Sequence, residues 1–117
     1  MDKIVFKDIC KARGLPVVDY EALLRSEWER DRPGVAGRIE RRLGYPVFTK
    51  PANLGSSVGI RMCHDRAELL AGLDEAARFD RRLLVEDAVP QAREIEVSVL
   101  GNDQPQASLP AQLLLQE

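Results

Sequence analysis

Lys50 ends an apolar run and is followed by Pro51 and then by the small polar stretch Gly55-Ser56-Ser57-Val58-Gly59. An ammonium fixed at a strand end beside backbone N–H groups that glycine leaves accessible is an arrangement that holds phosphate. The stretch is not a Walker A loop. No Gly-x-x-x-x-Gly-Lys-Ser/Thr string occurs, and Gly55 and Gly59 do not make the Gly-x-Gly-x-x-Gly fingerprint of dinucleotide sites. On residue types alone, an ordinary strand followed by a surface loop fits equally well.

Other chemistry-bearing residues are less pointed. Cys10 and Cys63 lie far apart, and the single histidine, His64, adjoins the second; this matches neither a zinc spacing nor a disulfide framework. Cys63 and His64 would point to opposite sides of a strand end, which argues against a thiol–imidazole pair. Two reduced cysteines suit a cytoplasmic protein. Lys3, Lys7 and Lys11 recur every fourth residue, the usual form of a solvated stripe. Glu94 and Glu96 alternate with Ile95 and Val97, as on the wet face of a strand.

These residues need a scaffold, and 117 residues suffice for one domain with a core that needs no disulfides. With 44% apolar and 31% charged residues the chain has the composition of an ordinary globule. A net charge of -2 and a pI near 5.5 argue against a nucleic-acid partner, and the sparse aromatics offer no base-stacking platform. No apolar run approaches a membrane span, and the first residues lack a signal-peptide core.

The patterning predicts a helix from Met1 to Arg13, with Val5, Phe6, Ile9 and Cys10 as its apolar pairs and Gly14 at its end. A short strand from Leu15 to Tyr20 follows. Ser26 to Gly34 reads as a connection closed by Pro33-Gly34, with Trp28 either packed or exposed. Val35, Ile39 and Leu43 repeat at helical spacing. Strands are expected at Val47 to Lys50, Gly59 to Cys63 and Leu83 to Val89, with a helix from about 65 to 79 opened by Asp65 and Glu68. Ile95, Val97 and Val99 form a further strand, and Gly101-Asn102-Asp103 turns the chain into a last one through Ala107, Leu109, Ala111 and Leu113. The sum is an α+β sandwich: a mostly antiparallel sheet with helices packed on one face.

Four segments, in order and spacing, resemble the D-alanine–D-alanine ligases of the ATP-grasp superfamily: Met1-Asp2-Lys3, the run Pro46 to Pro51 with Asn53 to Ile60, Leu84 to Val89, and Arg93 to Asn102. The resemblance covers nearly the whole chain, weakening after about residue 110. It implies the central, nucleotide-binding subdomain of that three-domain fold, with residues 1–44 as a helical lead-in and 45–117 as the core. It also implies ATP as cofactor: Lys3 and Lys50 on phosphate oxygens, Gly55, Ser56, Ser57 and Val58 closing over them, Glu86, Asp87, Ala88 and Val89 along the adenine rim, and Glu94 on the ribose hydroxyls. A carboxylate accepting two hydroxyls is a charge-assisted arrangement.

The magnesium ligands and substrate residues of that family belong to parts this chain does not resemble. The expectation is therefore an excised or engineered fragment of a cell-wall ligase that holds nucleotide without ligating by itself. Arg61-Met62, Pro90-Gln91 and the ending from Pro110 to Glu117 depart from the family's pattern. The leucines at 109, 113, 114 and 115 on a terminal edge strand suggest the alternative, a structural domain that pairs with its own copies as a homo-oligomer.

Overall fold

In the computed structural model the described residues are 2–53 and 58–89, together with the backbone of 94–96, 99–100, 106–107 and 111–113. Among the described residues four helices and eight strands follow one another as α1 (Lys3–Ala12), β1 (Tyr20–Leu24), α2 (Arg25–Arg30), α3 (Arg32–Arg42), β2 (Val47–Pro51), β3 (Arg61–Cys63), α4 (Arg66–Ala77), β4 (Arg82–Asp87), β5 (Glu94–Glu96), β6 (Val99–Leu100), β7 (Gln106–Ala107) and β8 (Ala111–Leu113). The main sheet has the order β1-β4-β2-β3 with every neighbour antiparallel. Two further antiparallel pairs, β5 with β8 and β6 with β7, carry the expected return of the chain on itself as two short pairings.

Strand alternation divides the sheet into two chemically different faces. Leu23, Val47, Cys63, Leu83 and Val85 turn to one side, where Trp28, Val35, Ala36, Ile39, Leu69, Leu73 and Ala76 complete the main core. Helix α4 comes so close to β2 that a Cβ on Gly72 would lie 2.4 Å from Thr49 Oγ1 and 2.9 Å from Cys63 Sγ. The opposite face carries Tyr20, Lys50, Leu84 and Glu86, and here α1 closes down through Ile4, packed with Ala52 and Leu84.

Helix α1 begins where expected, but its buried side is a different one. Asp2 caps it, its carboxylate accepting from the N–H groups of Ile4 (2.9 Å) and Val5 (3.0 Å). The Lys3 N–H donates to Ala52 O at 2.8 Å, and Arg82 pairs with Asp2. These ties turn Ile4 and Cys10 inward and leave Val5, Phe6 and Ile9 about half exposed. The side bearing Lys7 and Lys11 therefore faces Tyr20 of β1; Lys3 and Lys7 are partly buried there, and of the expected solvated stripe Lys11 remains exposed.

The stretch read as a connection is helical. Glu27 accepts from Leu24 N–H at 3.1 Å and opens α2, and Asp31 caps α3 by accepting from Gly34 N–H at 3.1 Å. Pro33 sits in the first turn of α3, where its missing N–H removes nothing from the helix. Trp28 is fully buried, its Nε1 donating to Asp74 at 2.8 Å beneath the Arg32 guanidinium. The strand expected at Leu15 to Tyr20 begins only at Tyr20 and continues to Leu24. Among the described residues, no helix is long and apolar enough to cross a membrane.

Candidate functional site

On the face opposite the core, the register puts Tyr20, Glu86 and Phe48 side by side across β1, β4 and β2. Lys50 lies two residues on from Phe48 and reaches back diagonally, so that its ammonium meets Glu86 Oε1. The other carboxylate oxygen accepts from Lys7 Nζ on α1 at 2.6 Å. Three elements far apart in sequence thus converge on one carboxylate that is only 6% exposed. Burial pushes the Glu86 carboxyl up, but the two lysines outweigh it and hold it below the ordinary carboxylate range.

Aromatic rings back both cations. Lys50 Nζ lies 5.5 Å from the Phe48 ring centre and Lys7 Nζ 5.6 Å from that of Tyr20. The Tyr20 hydroxyl donates to Asp8 at 2.5 Å, which fixes the ring under α1.

The chain after Glu86 is held from both sides. Asp87 N–H donates to Asp19 O at 2.9 Å and Ala88 N–H to Pro46 O at 3.1 Å. Neither amide is therefore an open donor for a ligand's rim, a point the sequence could not reveal. Pro46 is itself pinned. The Tyr45–Pro46 bond is cis, and the Tyr45 hydroxyl donates to Glu40 at 2.6 Å while Arg66 pairs with the same carboxylate.

The described residues on either side of 54–57 are anchored. Asn53 donates through its backbone and side-chain nitrogens to Asp80 at 2.9 and 3.1 Å. Gly59 has φ +74°, and a Cβ there would lie 2.8 Å from Pro51 and 2.9 Å from Phe79, so glycine is needed on both counts. Val58 is half exposed at the loop's exit.

Of the residues expected to act, the fold brings Lys50, Glu86, Asp87 and Ala88 to one rim, and Lys3 opens the helix that covers it. Gly55, Ser56, Ser57 and the side chain of Glu94 lie outside the described residues, as do Leu109, Leu114, Leu115 and the side chain of Leu113, whose backbone is in β8. Sequence reasoning missed Lys7, Tyr20 and Phe48. Lys7 stands four residues after Lys3 and so shares its helix face, which was the available signal. The Cys63 thiol lies in the core and is raised by burial, whereas His64 is exposed beside Glu68.

Residues 9–117 match the family described as D-ala D-ala ligase C-terminus. The chain is similar to the D-alanine–D-alanine ligase of Macrococcus caseolyticus, with 49% identity over 97% of this chain and 32% of that protein. It is likewise similar to that of Natranaerobius thermophilus, with 47% identity over 97% and 31%. Among solved structures, the D-alanine-D-alanine ligase from Coxiella burnetii superposes with a TM-score of 0.83 at 39% identity, covering 97% of this chain and 33% of that one. The chain spans about a third of the length of these relatives.

Proposed function

The chain belongs to the D-alanine–D-alanine ligase family and has its ATP-grasp fold, and on that footing we propose that it is the nucleotide-holding third of an ATP-dependent ligase. The observation that carries this reading is the meeting of Lys50 and Glu86 across β2 and β4, on the sheet face opposite the main core. The two residues come from separate motifs, and each is needed at a different end of one nucleotide.

The residues fit that ligand. Lys50 and Lys3 supply point charges for phosphate oxygens, to which the backbone N–H groups of Gly55, Ser56, Ser57 and Val58 would add theirs. Glu86 and the strand end to Val89 offer the edge of a flat base its hydrogen bonds, and the buried face beside Leu84 excludes water. Glu94 would accept from the ribose hydroxyls. Bound ATP would supply the phosphoryl group that activates a carboxylate for attack by an amine, with the joining of D-alanine units for cell-wall precursors as the reaction of the complete protein. Magnesium would neutralise charge on the phosphates; among the described residues no group of three His, Cys, Asp or Glu gathers to hold it.

A titration of the chain with MgATP, followed by NMR, tests the reading. Saturable shifts at Lys50, Glu86 and Val89 that vanish in Lys50→Ala are expected. The dissociation constant should be micromolar or weaker, about 8 kcal/mol or less. A flat titration of the wild-type chain overturns the reading.

A further inference from the structure

We propose that Lys7 is a positioning residue of this site: the resident counter-ion of Glu86, which keeps that carboxylate charged and oriented when Lys50 turns to a nucleotide's phosphates. The inference rests on the nucleotide-binding reading and extends it to a residue on another element.

Each Glu86 oxygen is taken by one lysine, Oε1 by Lys50 and Oε2 by Lys7. The two lysines are not equivalent. Lys50 stands at the end of β2, one residue before the chain leaves for the Ser-rich loop, where a phosphate would draw its charge away. Lys7 stands in the middle of α1, and its ammonium is backed by the Tyr20 ring, itself hydrogen-bonded to Asp8 on the same helix. A phosphate that recruits Lys50 would leave a carboxylate 6% exposed with no partner, unless a second cation stays behind. Lys7 is that cation.

The groups facing Glu86 come from every neighbouring element. Helix α1 supplies Lys7, with Lys3 opening the helix and Asp8 and Lys11 meeting Tyr20; β1 supplies Tyr20 and β2 Lys50, while Asp87, next along β4, turns to the other face of the sheet. Burial raises the Asp87 carboxyl, with Asp19 adding to it. The lysines are therefore what oppose the burial of Glu86.

Carboxyl-carbon NMR of Glu86 in the ligand-free 117-residue chain tests the ion pair directly. In Lys50→Met, which imitates the departure of Lys50, the Glu86 midpoint should stay within or below the ordinary carboxylate range. In the double variant Lys7→Met, Lys50→Met it should rise above pH ~6. MgATP affinity should fall about tenfold in Lys7→Met and come to decrease as pH rises, because Glu86, left without Lys50 in the complex, then takes up a proton on binding, and Lys7→Arg should restore both magnitude and profile. Circular dichroism checks that each variant is folded.

An unchanged Glu86 midpoint in the double variant overturns the proposal, whatever the nucleotide does. Wild-type MgATP affinity and pH profile in Lys7→Met also overturn it. Absence of saturable binding by the wild-type chain overturns the nucleotide reading and the positioning role with it; the ligand-free titration then still separates that failure from a failure of the ion pair.

Discussion

Both tyrosines of this chain end on a carboxylate, and both should resist ionisation. The hydrogen bond to Asp8, aided by burial, pushes Tyr20 up to about 12. Burial and then Glu40 push Tyr45 higher still. A phenol raised in the folded state contributes stability that is present below its unfolded value near 10 and lost as pH rises through the folded one. An ultraviolet titration should therefore show almost no phenolate at pH ~10.5 in the folded chain, and Asp8→Asn should release one of the two. The acid limb has the opposite sign. Arg66 and then Tyr45 hold Glu40 down at about 2, and Glu86 is also held below its ordinary value. Their contributions are present above the ordinary carboxylate range and lost as pH falls through the depressed values. The stability gap between wild type and Glu86→Gln, measured by urea unfolding, should accordingly narrow below pH ~4.5. Lys50 and Glu86 were legible in the sequence because each sits in a distinctive motif; Lys7 was not, because a lysine every fourth residue is far more often solvated.

At the scale of elements, Gly72 decides how near α4 lies to β2. Alanine favours a helix by about 1 kcal/mol over glycine, yet Gly72→Ala should destabilise the chain by about 1–3 kcal/mol, because its Cβ would enter the space of Thr49 and Cys63. Urea unfolding measures this, and a stabilised variant would show that α4 can back away freely. Ile4→Ala should cost about 2–3 kcal/mol, whereas Phe6→Ser should stay within about 0.5 kcal/mol, since only Ile4 packs against Ala52 and Leu84. The helix from 66, β2 and β4 were readable from spacing and capping residues. Helix α2 was not: its six residues, Arg25–Arg30, carry one apolar side chain, Trp28, so no periodicity can form. Pro33-Gly34 misled for a related reason, since proline marks a first helical turn as readily as a loop. The inward side of α1 depended on a cap and on Ala52, Leu84 and Tyr20, all contributed from elsewhere.

For the whole molecule, the sheet separates what holds the fold from what would hold a ligand. Composition and alternation announced an antiparallel sheet with helices, but not which face would be left for α1, because that is settled by contacts between distant segments. Lys50→Met should therefore impair MgATP binding while leaving the cooperativity of urea unfolding intact, and a broadened transition would contradict that separation. The same division gives the chain an optical property. Its one tryptophan, Trp28, lies wholly within the core and is hydrogen-bonded to Asp74, behind the sheet as seen from Glu86. Its emission is a signal for the integrity of one face and is blind to events on the other, so fluorescence follows unfolding and a ligand can come and go unseen.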